Sequence, residues 1–222
     1  MSKKMINNLE TIKPRLKQVF DLNRDDLFFH LLLIQRKKEN EGMINKNTNV
    51  VKTYVVKDIK YLEYKLEKEI IPICNNLNAR AMINLNPKSF RRVTHSMLRR
   101  LSEYIESDFY ERSISKLFDS CTASSSISKE LGIEKYWILD VDKKESVYHI
   151  ETLKSIINQY CCPIYPKGDK VKLITESKNG YHLITIPFNI KDFERMKNQK
   201  EYKEYLKEVE VKKDCLTNLY IN

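Results

Sequence analysis

The chain has 222 residues, and its 40 Lys and Arg against 30 Asp and Glu give a formal net charge of +10 at pH 7. A hydrophobic content of 41% is enough to form a core, which excludes a wholly disordered chain. An excess of positive charge concentrates polyanions at a surface, and nucleic acid is the commonest such partner. Biased base composition alone would also produce a basic chain rich in Lys and Asn.

The cysteines and the N-terminus indicate a protein of the reducing cytoplasm. The five cysteines are an odd number without a Cys-x-x-Cys pair, which argues against a disulfide framework and against a structural zinc site. The N-terminal segment is charged and lacks the apolar run of a signal peptide. No stretch approaches the roughly 20 apolar residues of a membrane span. We therefore expect cytoplasmic localisation, in a bacterial host or a phage-infected cell, and no membrane partner.

The first third of the chain predicts a mixture of helices and strands. Residues 1–23 have weak helical spacing, whereas the apolar block Leu27–Ile34 fits either a buried strand or a short helix. Asn49–Val56 is β-branched and is typical of a strand. Asp58 begins an amphipathic stretch with apolar residues every three or four positions, which predicts a helix. Ala79–Asn86 alternates as a strand does.

A basic helix is predicted to begin at Asn86-Pro87, because Asn is a good N-cap and Pro suits the first helical position. One side of this helix is apolar and the other is basic, so it could follow a nucleic-acid backbone or be an ordinary solvated face. Arg80, on the strand before it, is a further candidate for nucleic-acid binding. The basic candidates on the helix are Lys88, Arg91, Arg92, His95 and Arg99.

A Ser-rich segment, Cys121–Ser128, is polar enough to be a linker or a mobile loop. It suggests a division of the chain into an N-terminal basic α/β unit, residues 1–128, and a second unit, residues 129–222. The two units would share an interface within one compact catalytic domain.

The second unit predicts the element order β-α-β-β-α-β, which resembles a split βαβ unit of the ferredoxin-like or RNA-recognition-like (RRM-like) type. The expected fold class is therefore α+β, with such an antiparallel sheet packed against the N-terminal α/β unit. The predicted elements are Tyr136–Val141, Val147–Tyr160, Val171–Thr175, Tyr181–Pro187, Asn189–Lys207 and Val209–Val211, with a further short strand at Asn218–Ile221.

Asp140 and Asp142 close the first of these strands and are candidate metal ligands. If the strand continues to Asp142, the period of two places both side chains on one face, about 7 Å apart. Such carboxylates repel one another unless a cation lies between them, and Mg²⁺ or Mn²⁺ prefers oxygen ligands. Two solvated acids in a polar turn would look the same in sequence.

The turn between the two central strands is a candidate phosphate site. Asn179-Gly180 suits a type I′ hairpin turn, which needs positive φ at both central residues. Backbone amides, Ser177 and Lys178 could contact a triphosphate there, and His182 could donate to a phosphate oxygen. A purely structural hairpin is the alternative.

A third acid would complete a metal site. Glu210, in the alternating strand near the end of the chain, is the preferred residue. Glu208 and Asp214 remain open as alternatives.

Together these segments resemble the catalytic core of the archaeo-eukaryotic primase superfamily. In that family a strand with Asp-hydrophobic-Asp precedes a Ser/Thr-rich, Gly-containing turn that ends in a hydrophobic residue and His, and a later strand carries a third acid. Ile138–Asp142 matches the first motif, Thr175–Ile184 resembles the second and Val209–Val211 is the candidate third. The resemblance covers roughly residues 135–222. Residues 78–93 also resemble an arginine-rich segment of small phage and prophage proteins that carry similar motifs.

The resemblance implies a primase–polymerase architecture with a metal-dependent primase or polymerase activity on a DNA or RNA template, using NTPs or dNTPs. Asp140 and Asp142 would hold two Mg²⁺ or Mn²⁺ ions with Glu210, and the basic helix would follow the template. So small a chain would act with a helicase or another replication protein. The residues expected to hold the phosphates are Ser177, Lys178, Asn179 and His182.

Two other classes of function fit the same residues. One is a non-catalytic nucleic-acid-binding protein, acting as a replication accessory or a phage counter-defence protein. The other is a metal-dependent nuclease or other phosphoryl-transfer enzyme that uses the same acids.

Overall fold

The computed structural model describes residues 5–40, 47–107, 114–123, 125–142, 147–162, 169–214 and 216–222. It has the mixed α+β class that the sequence predicts, and it contains two antiparallel sheets. Among the described residues, no helix is both long and apolar enough to cross a membrane.

The first part of the chain supplies most of the first sheet and the helices on its two faces. Its strands are β1 (Ile6–Asn7), β2 (Leu27–Arg36), β3 (Thr48–Val56), β4 (Arg80–Asn84) and β5 (Lys88–Ser89). Its helices are α1 (Leu9–Phe20), α2 (Ile59–Lys65), α3 (Ile71–Leu77), α4 (Phe90–Glu106) and α5 (Leu117–Ala123). A π-helical turn, Leu66–Ile70, joins α2 to α3, and single 3₁₀ turns lie at Lys37–Glu39 and Ile114–Lys116.

The second part forms the second sheet and its helical cover. Its elements are β6 (Trp137–Val141), α6 (Val147–Tyr160), β7 (Val171–Glu176), β8 (Tyr181–Thr185), α7 (Ile190–Lys197), α8 (Lys203–Leu206) and β9 (Val209–Lys213). The strands lie in the order β7-β8-β6-β9, all antiparallel, and the chain order is the predicted β-α-β-β-α-β except that two helices, α7 and α8, stand in place of the last one. The last strand, β10 (Leu216–Ile221), leaves this sheet and joins the first one, where the strand order is β1-β10-β4-β2-β3.

The apolar block Leu27–Ile34 is a strand because both of its faces are buried. Leu31 and Leu33 belong to the main core, whereas Phe28, on the opposite face, packs with Val93 of α4. Continuous burial explains why the block has no alternation and why periodicity alone leaves it ambiguous.

One core joins the two parts of the chain. Ile138 of β6 and Ile184 of β8 lie in the same cluster as Ile12 and Leu31 from the N-terminal part. On its other face the second sheet has a separate core, in which Leu139 packs with residues of α6, α7 and α8. The second sheet is therefore buried on both faces, which fixes its position beside the first.

Three expectations from the sequence are wrong. The basic helix begins at Phe90 rather than at Asn86-Pro87, because the chain first pairs with β2 as β5, and the Ser89 side chain then accepts a hydrogen bond from the Arg92 amide at 3.4 Å. The helix expected at 189–207 is broken into α7 and α8. In the Ser-rich segment, the first residues belong to α5, and Ser125, Ile127 and Ser128 are buried, which does not fit an exposed linker.

The sequence also predicts a second helix over roughly Phe109–Phe118, and the first part of this range lies outside the described residues. Residues 108–113 are among those not described, and the described portion that follows is the turn Ile114–Lys116 and the helix α5.

Lys88 is not a nucleic-acid contact, contrary to expectation. Its side chain is 0% exposed, and its ammonium donates hydrogen bonds to Asp214 Oδ2 and to the Ala123 carbonyl, both at 3.1 Å. Asn86 Nδ2 donates to Asp214 Oδ1 at 2.9 Å and to the Tyr136 carbonyl at 2.8 Å. These residues form a buried polar clasp that joins the chain between β4 and α4 to the start of β6 and the end of β9.

We predict that Lys88→Met lowers the free energy of unfolding by about 3 kcal/mol, because it leaves the Asp214 carboxylate without its cation. Chemical denaturation measures this, with the exposed Lys60→Met as the matched control, expected within about 0.5 kcal/mol of the wild type. A Lys88→Met protein as stable as the control would show that the clasp does not stabilise the fold.

Candidate active site

Asp140 lies at the centre of a row of polar residues that crosses the second sheet. It is paired with His182 of β8 on one side and with Glu210 of β9 on the other. His182 is in turn paired with Thr175 of β7. Directly paired residues of antiparallel strands point to the same face. The four side chains therefore share the face that looks toward the first sheet.

A cleft of about 410 Å³ lies over this face, between the two sheets. Asp140, Asp142 and Glu210 all line it, so the candidate metal ligands share one space. The strand ends at Val141, and Asp142 follows it directly. Also in the lining are all the residues expected to hold phosphates: Ser177, Lys178, Asn179 and His182.

The cleft also has a strongly basic lining that the sequence did not indicate. Arg36 and Lys38 come from the end of β2 and the turn after it, and Lys212 comes from β9. Arg80, expected to contact nucleic acid, lines the same cleft. Carboxylates on one wall and cations around them are what a site for a metal-bound polyphosphate requires.

Both carboxylate oxygens of Asp140 are engaged. His182 Nε2 lies 3.3 Å from Oδ1, and the Lys212 ammonium forms an ion pair with Oδ2. Burial disfavours the charged form, but the hydrogen bonds from His182 and Lys212 outweigh it and hold the pKa of Asp140 well below its usual range. Asp140 is therefore a carboxylate throughout the physiological pH range.

The ion pair with Asp140 also shifts the pKa of Lys212. Its partial burial would lower the pKa of the ammonium, but the hydrogen bond to Asp140 outweighs that effect and raises the pKa above its ordinary value. Its Nζ also lies 3.5 Å from Glu210 Oε2. The ammonium is thus held between two of the three candidate metal ligands.

His182 is oriented by a residue of the first sheet. Its Nδ1 is 2.9 Å from Thr217 Oγ1, and Thr217 Oγ1 is 2.8 Å from Thr175 Oγ1. Because Thr217 belongs to β10, the imidazole is fixed only when both sheets are in place. No local pattern in the sequence points to Thr217, because its contact depends on the crossing of β10 from the second part of the chain to the first sheet.

The turn before His182 differs from the type I′ hairpin expected. Neither Asn179 nor Gly180 has positive φ, and the loop is closed by a 2.9 Å hydrogen bond from the Ser177 amide to the Gly180 carbonyl. Glycine is needed for space instead, because a Cβ at Gly180 would lie 1.8 Å from the Val141 carbonyl oxygen. This close approach sets the turn beside Asp142.

Glu39 joins the basic side of the cleft to that turn. Its carboxylate is 8% exposed and accepts hydrogen bonds from Arg80, whose Nε is 2.9 Å from Oε2. Lys178 Nζ of the turn lies 3.4 Å from Oε1. Arg80 is therefore a buried partner of Glu39 at the cleft wall rather than an exposed contact.

The remaining basic candidates, Arg91, Arg92 and Arg99, are exposed on α4. They do not line the cleft, and two of them form ion pairs, Arg92 with Glu130 and Arg99 with Glu103. The helix packs on Phe28, which alternation along β2 places on the same face as the cleft residues Ile34 and Arg36. Ile34 lies six positions after Phe28 along the strand, a distance of about 20 Å.

The described residues contain no group of three or more His, Cys, Asp or Glu side chains already arranged to hold a metal ion. The donors nevertheless fit Mg²⁺ or Mn²⁺ in kind, because three carboxylates line one cleft and offer only oxygen. The cationic Lys212 between two of them shows that the acidic end of the cleft accommodates positive charge.

Comparisons of the chain with protein-family models, with curated proteins and with solved structures gave no match.

We predict that Glu39→Gln destabilises the protein by about 3 kcal/mol at pH 7, because Arg80 loses its buried partner. Burial opposes the ionisation of Glu39, but Arg80 and Lys178 lower its pKa below the ordinary value of 4.5. The carboxylate therefore stabilises the fold above that pH, and the stabilisation is lost as the pH falls toward the folded-state pKa.

Denaturant unfolding at a series of pH values measures this difference, with Glu67→Gln, 74% exposed, as the control. The Glu39→Gln penalty should be largest near neutral pH and shrink below about pH 4. A penalty that is the same across this range would contradict the assigned ion pair.

Proposed function

We propose that this chain is a metal-dependent nucleotidyltransferase of the primase–polymerase type, which joins NTPs or dNTPs on a DNA or RNA template. The observation that carries the proposal is the convergence of Asp140, Asp142, Glu210 and His182 on one cleft. Asp140 and Asp142 lie at the end of β6, His182 lies on β8 and Glu210 lies on β9. Residues that are far apart in sequence therefore meet in one cleft. A purely structural hairpin or a solvated acidic turn would not require it.

The fold supports the same proposal. A β-α-β-β-α-β sheet that packs an acid-bearing face against an N-terminal α/β unit is the core architecture implied by the resemblance to the archaeo-eukaryotic primases. In this chain the cleft lies between the two sheets, where a template and a nucleotide could enter from solvent.

Asp140 and Asp142 are assigned to bind Mg²⁺ or Mn²⁺, with Glu210 as the third acid beside them. A bound divalent cation would lower the pKa of the attacking 3′-hydroxyl and neutralise charge on the leaving pyrophosphate. The protein's own contribution is to keep Asp140 ionised and in a fixed rotamer through His182 and Lys212.

The phosphates of the incoming nucleotide are assigned to the basic lining and the turn. Lys178 and the turn residues Ser177 and Asn179 border the acids on one side, and Arg36 and Lys38 face the cleft from the first sheet. Ammonium and guanidinium groups bind phosphate oxygens through charge-assisted hydrogen bonds. The imidazole of His182 is oriented by Thr217, and its Nε2, which faces Asp140 Oδ1 at 3.3 Å, would donate to a phosphate oxygen once Asp140 binds the metal instead.

The exposed arginines of α4 are assigned to the template backbone. They lie on the same face of the first sheet as the cleft, about 20 Å along β2 from it, which is the length of roughly six base-pair steps. A template that lies across α4 and the cleft would explain why a basic helix and an acidic cleft occur in one small protein. A helicase or another replication protein would then supply strand opening.

We predict that the protein extends or initiates strands on a single-stranded template with Mn²⁺, and that Asp140→Asn lowers the rate at least 100-fold, because Asn keeps the shape but not the charge of a metal ligand. Gel analysis with labelled nucleotide measures this. Asp25→Asn, an exposed Asp away from the cleft, is the matched control and should retain the wild-type rate.

A second function, non-catalytic nucleic-acid binding, is favoured by one observation. Asp140 already forms an ion pair with Lys212 and lies 3.3 Å from His182 Nε2, so both of its oxygens have partners without a metal. On this alternative no product forms with any nucleotide, and Asp140→Asn binds template as the wild type does. Shortening of the template that depends on Asp140 would instead identify a nuclease.

We predict that Arg91→Ala with Arg99→Ala weakens binding to single-stranded DNA and lowers the slope of log K against log salt by about 0.7 for each lost phosphate contact. Fluorescence anisotropy at several salt concentrations measures this slope. Lys17→Ala with Lys60→Ala removes the same charge from helices packed on the opposite face of the first sheet and should leave the slope unchanged. Equal effects of the two pairs would show that net charge, not the α4 face, drives binding.

A further inference from the structure

The position of Lys212 in the cleft conflicts with a site for two metal ions. It lies two residues after Glu210 on β9, so both side chains emerge on the face that carries Asp140. The strand thus presents a carboxylate and an ammonium to the same space. This arrangement is set by the backbone register and not by a long flexible loop.

The ammonium occupies the space that a second cation would need. Lys212 Nζ pairs with Asp140 Oδ2 and lies 3.5 Å from Glu210 Oε2, so it bridges the two acids from adjacent strands. The opposite oxygen of Asp140 faces His182 at 3.3 Å. A metal ion shared by Asp140 and Glu210 would have to displace the lysine from a half-buried position.

The charges of the cleft favour one divalent ion over two. Asp140, Asp142 and Glu210 carry three negative charges, which one ammonium and one divalent cation balance. A second divalent ion would leave this end of the cleft positive, beside the positive charges of Arg36 and Lys38. Positive charges that share a partly dehydrated cleft repel one another strongly.

We propose that Lys212 takes the place of one of two metal ions, so that the site binds a single divalent cation at Asp140 and Asp142 while Glu210 holds the lysine. The proposal rests on the proposed function, because it assigns the metal to the same acids. It makes Lys212 a positioning residue that fixes Asp140. It also makes Glu210 a partner of the lysine rather than a metal ligand.

Counting bound Mn²⁺ tests this directly. Electron paramagnetic resonance of the full-length protein, titrated with Mn²⁺ alone, gives the number of ions bound from the loss of the free-ion signal. The wild type should bind one ion, and Lys212→Met should bind a second with at least a tenfold gain in affinity at that position. Lys212→Arg keeps the positive charge and should bind one ion. Two equivalent ions in the wild type would overturn the proposal.

Glu210→Gln gives an independent test in case Lys212→Met does not fold, which circular dichroism would reveal. On the proposal the Gln variant binds one Mn²⁺ with the wild-type affinity, because residue 210 is not a metal ligand. A tenfold or greater loss of Mn²⁺ affinity in this variant would contradict the role of the lysine.

Asp140→Asn separates this proposal from the proposed function. If the wild type binds one ion and Asp140→Asn binds none, the metal lies where the function needs it and the Lys212 variants decide the rest. If Asp140→Asn binds Mn²⁺ as the wild type does, the metal site of the proposed function is wrong, and the proposal about Lys212 falls with it. If the wild type binds one ion and Lys212→Met also binds only one, the function stands and the lysine does not replace a metal.

Discussion

The structure depends most on one partly buried carboxylate, that of Asp140. Its side chain is 19% exposed and lies at the centre of a sheet, where an uncompensated charge would be costly. His182 and Lys212 compensate it from the two neighbouring strands, and the pairing of β6 with β8 and β9 sets both positions. A shift of either neighbouring strand by one residue would turn its compensating group to the opposite face. The strand register of the second sheet therefore determines which charged groups lie beside Asp140 in the cleft.

The site also requires the first sheet. Thr217 of β10 holds the imidazole of His182, and Asn8 at the start of α1 bonds to the backbone of both β7 and β10. Glu39 of the first sheet reaches Lys178 in the turn of the second. The cleft thus lies between two sheets that these hydrogen bonds and this ion pair join to each other at both ends of the cleft. A cofactor or template bound between them would meet walls that are already fixed, which lowers the entropic cost of binding.

Local patterns in the sequence predicted the second sheet well. The helix Val147–Tyr160 and the strand around Asp140 follow from periodicity, and the placing of Asp140, Asp142 and His182 in one cleft agrees with the motif spacing. The failures come from long-range pairing. Lys88 looked like part of a basic face, but its partner Asp214 lies 126 positions away in sequence and buries it. Lys212 likewise carries no local signal, because its role depends on which strands lie next to β9.

The most direct test of the account is the position of the metal. Crystals grown with Mn²⁺ would give an anomalous difference map, in which we expect a peak within coordination distance of carboxylate oxygens of Asp140 and Asp142, about 2.2 Å from each. A peak elsewhere on the protein, or an empty cleft at saturating Mn²⁺ with the Asp140–Lys212 ion pair intact, would contradict it.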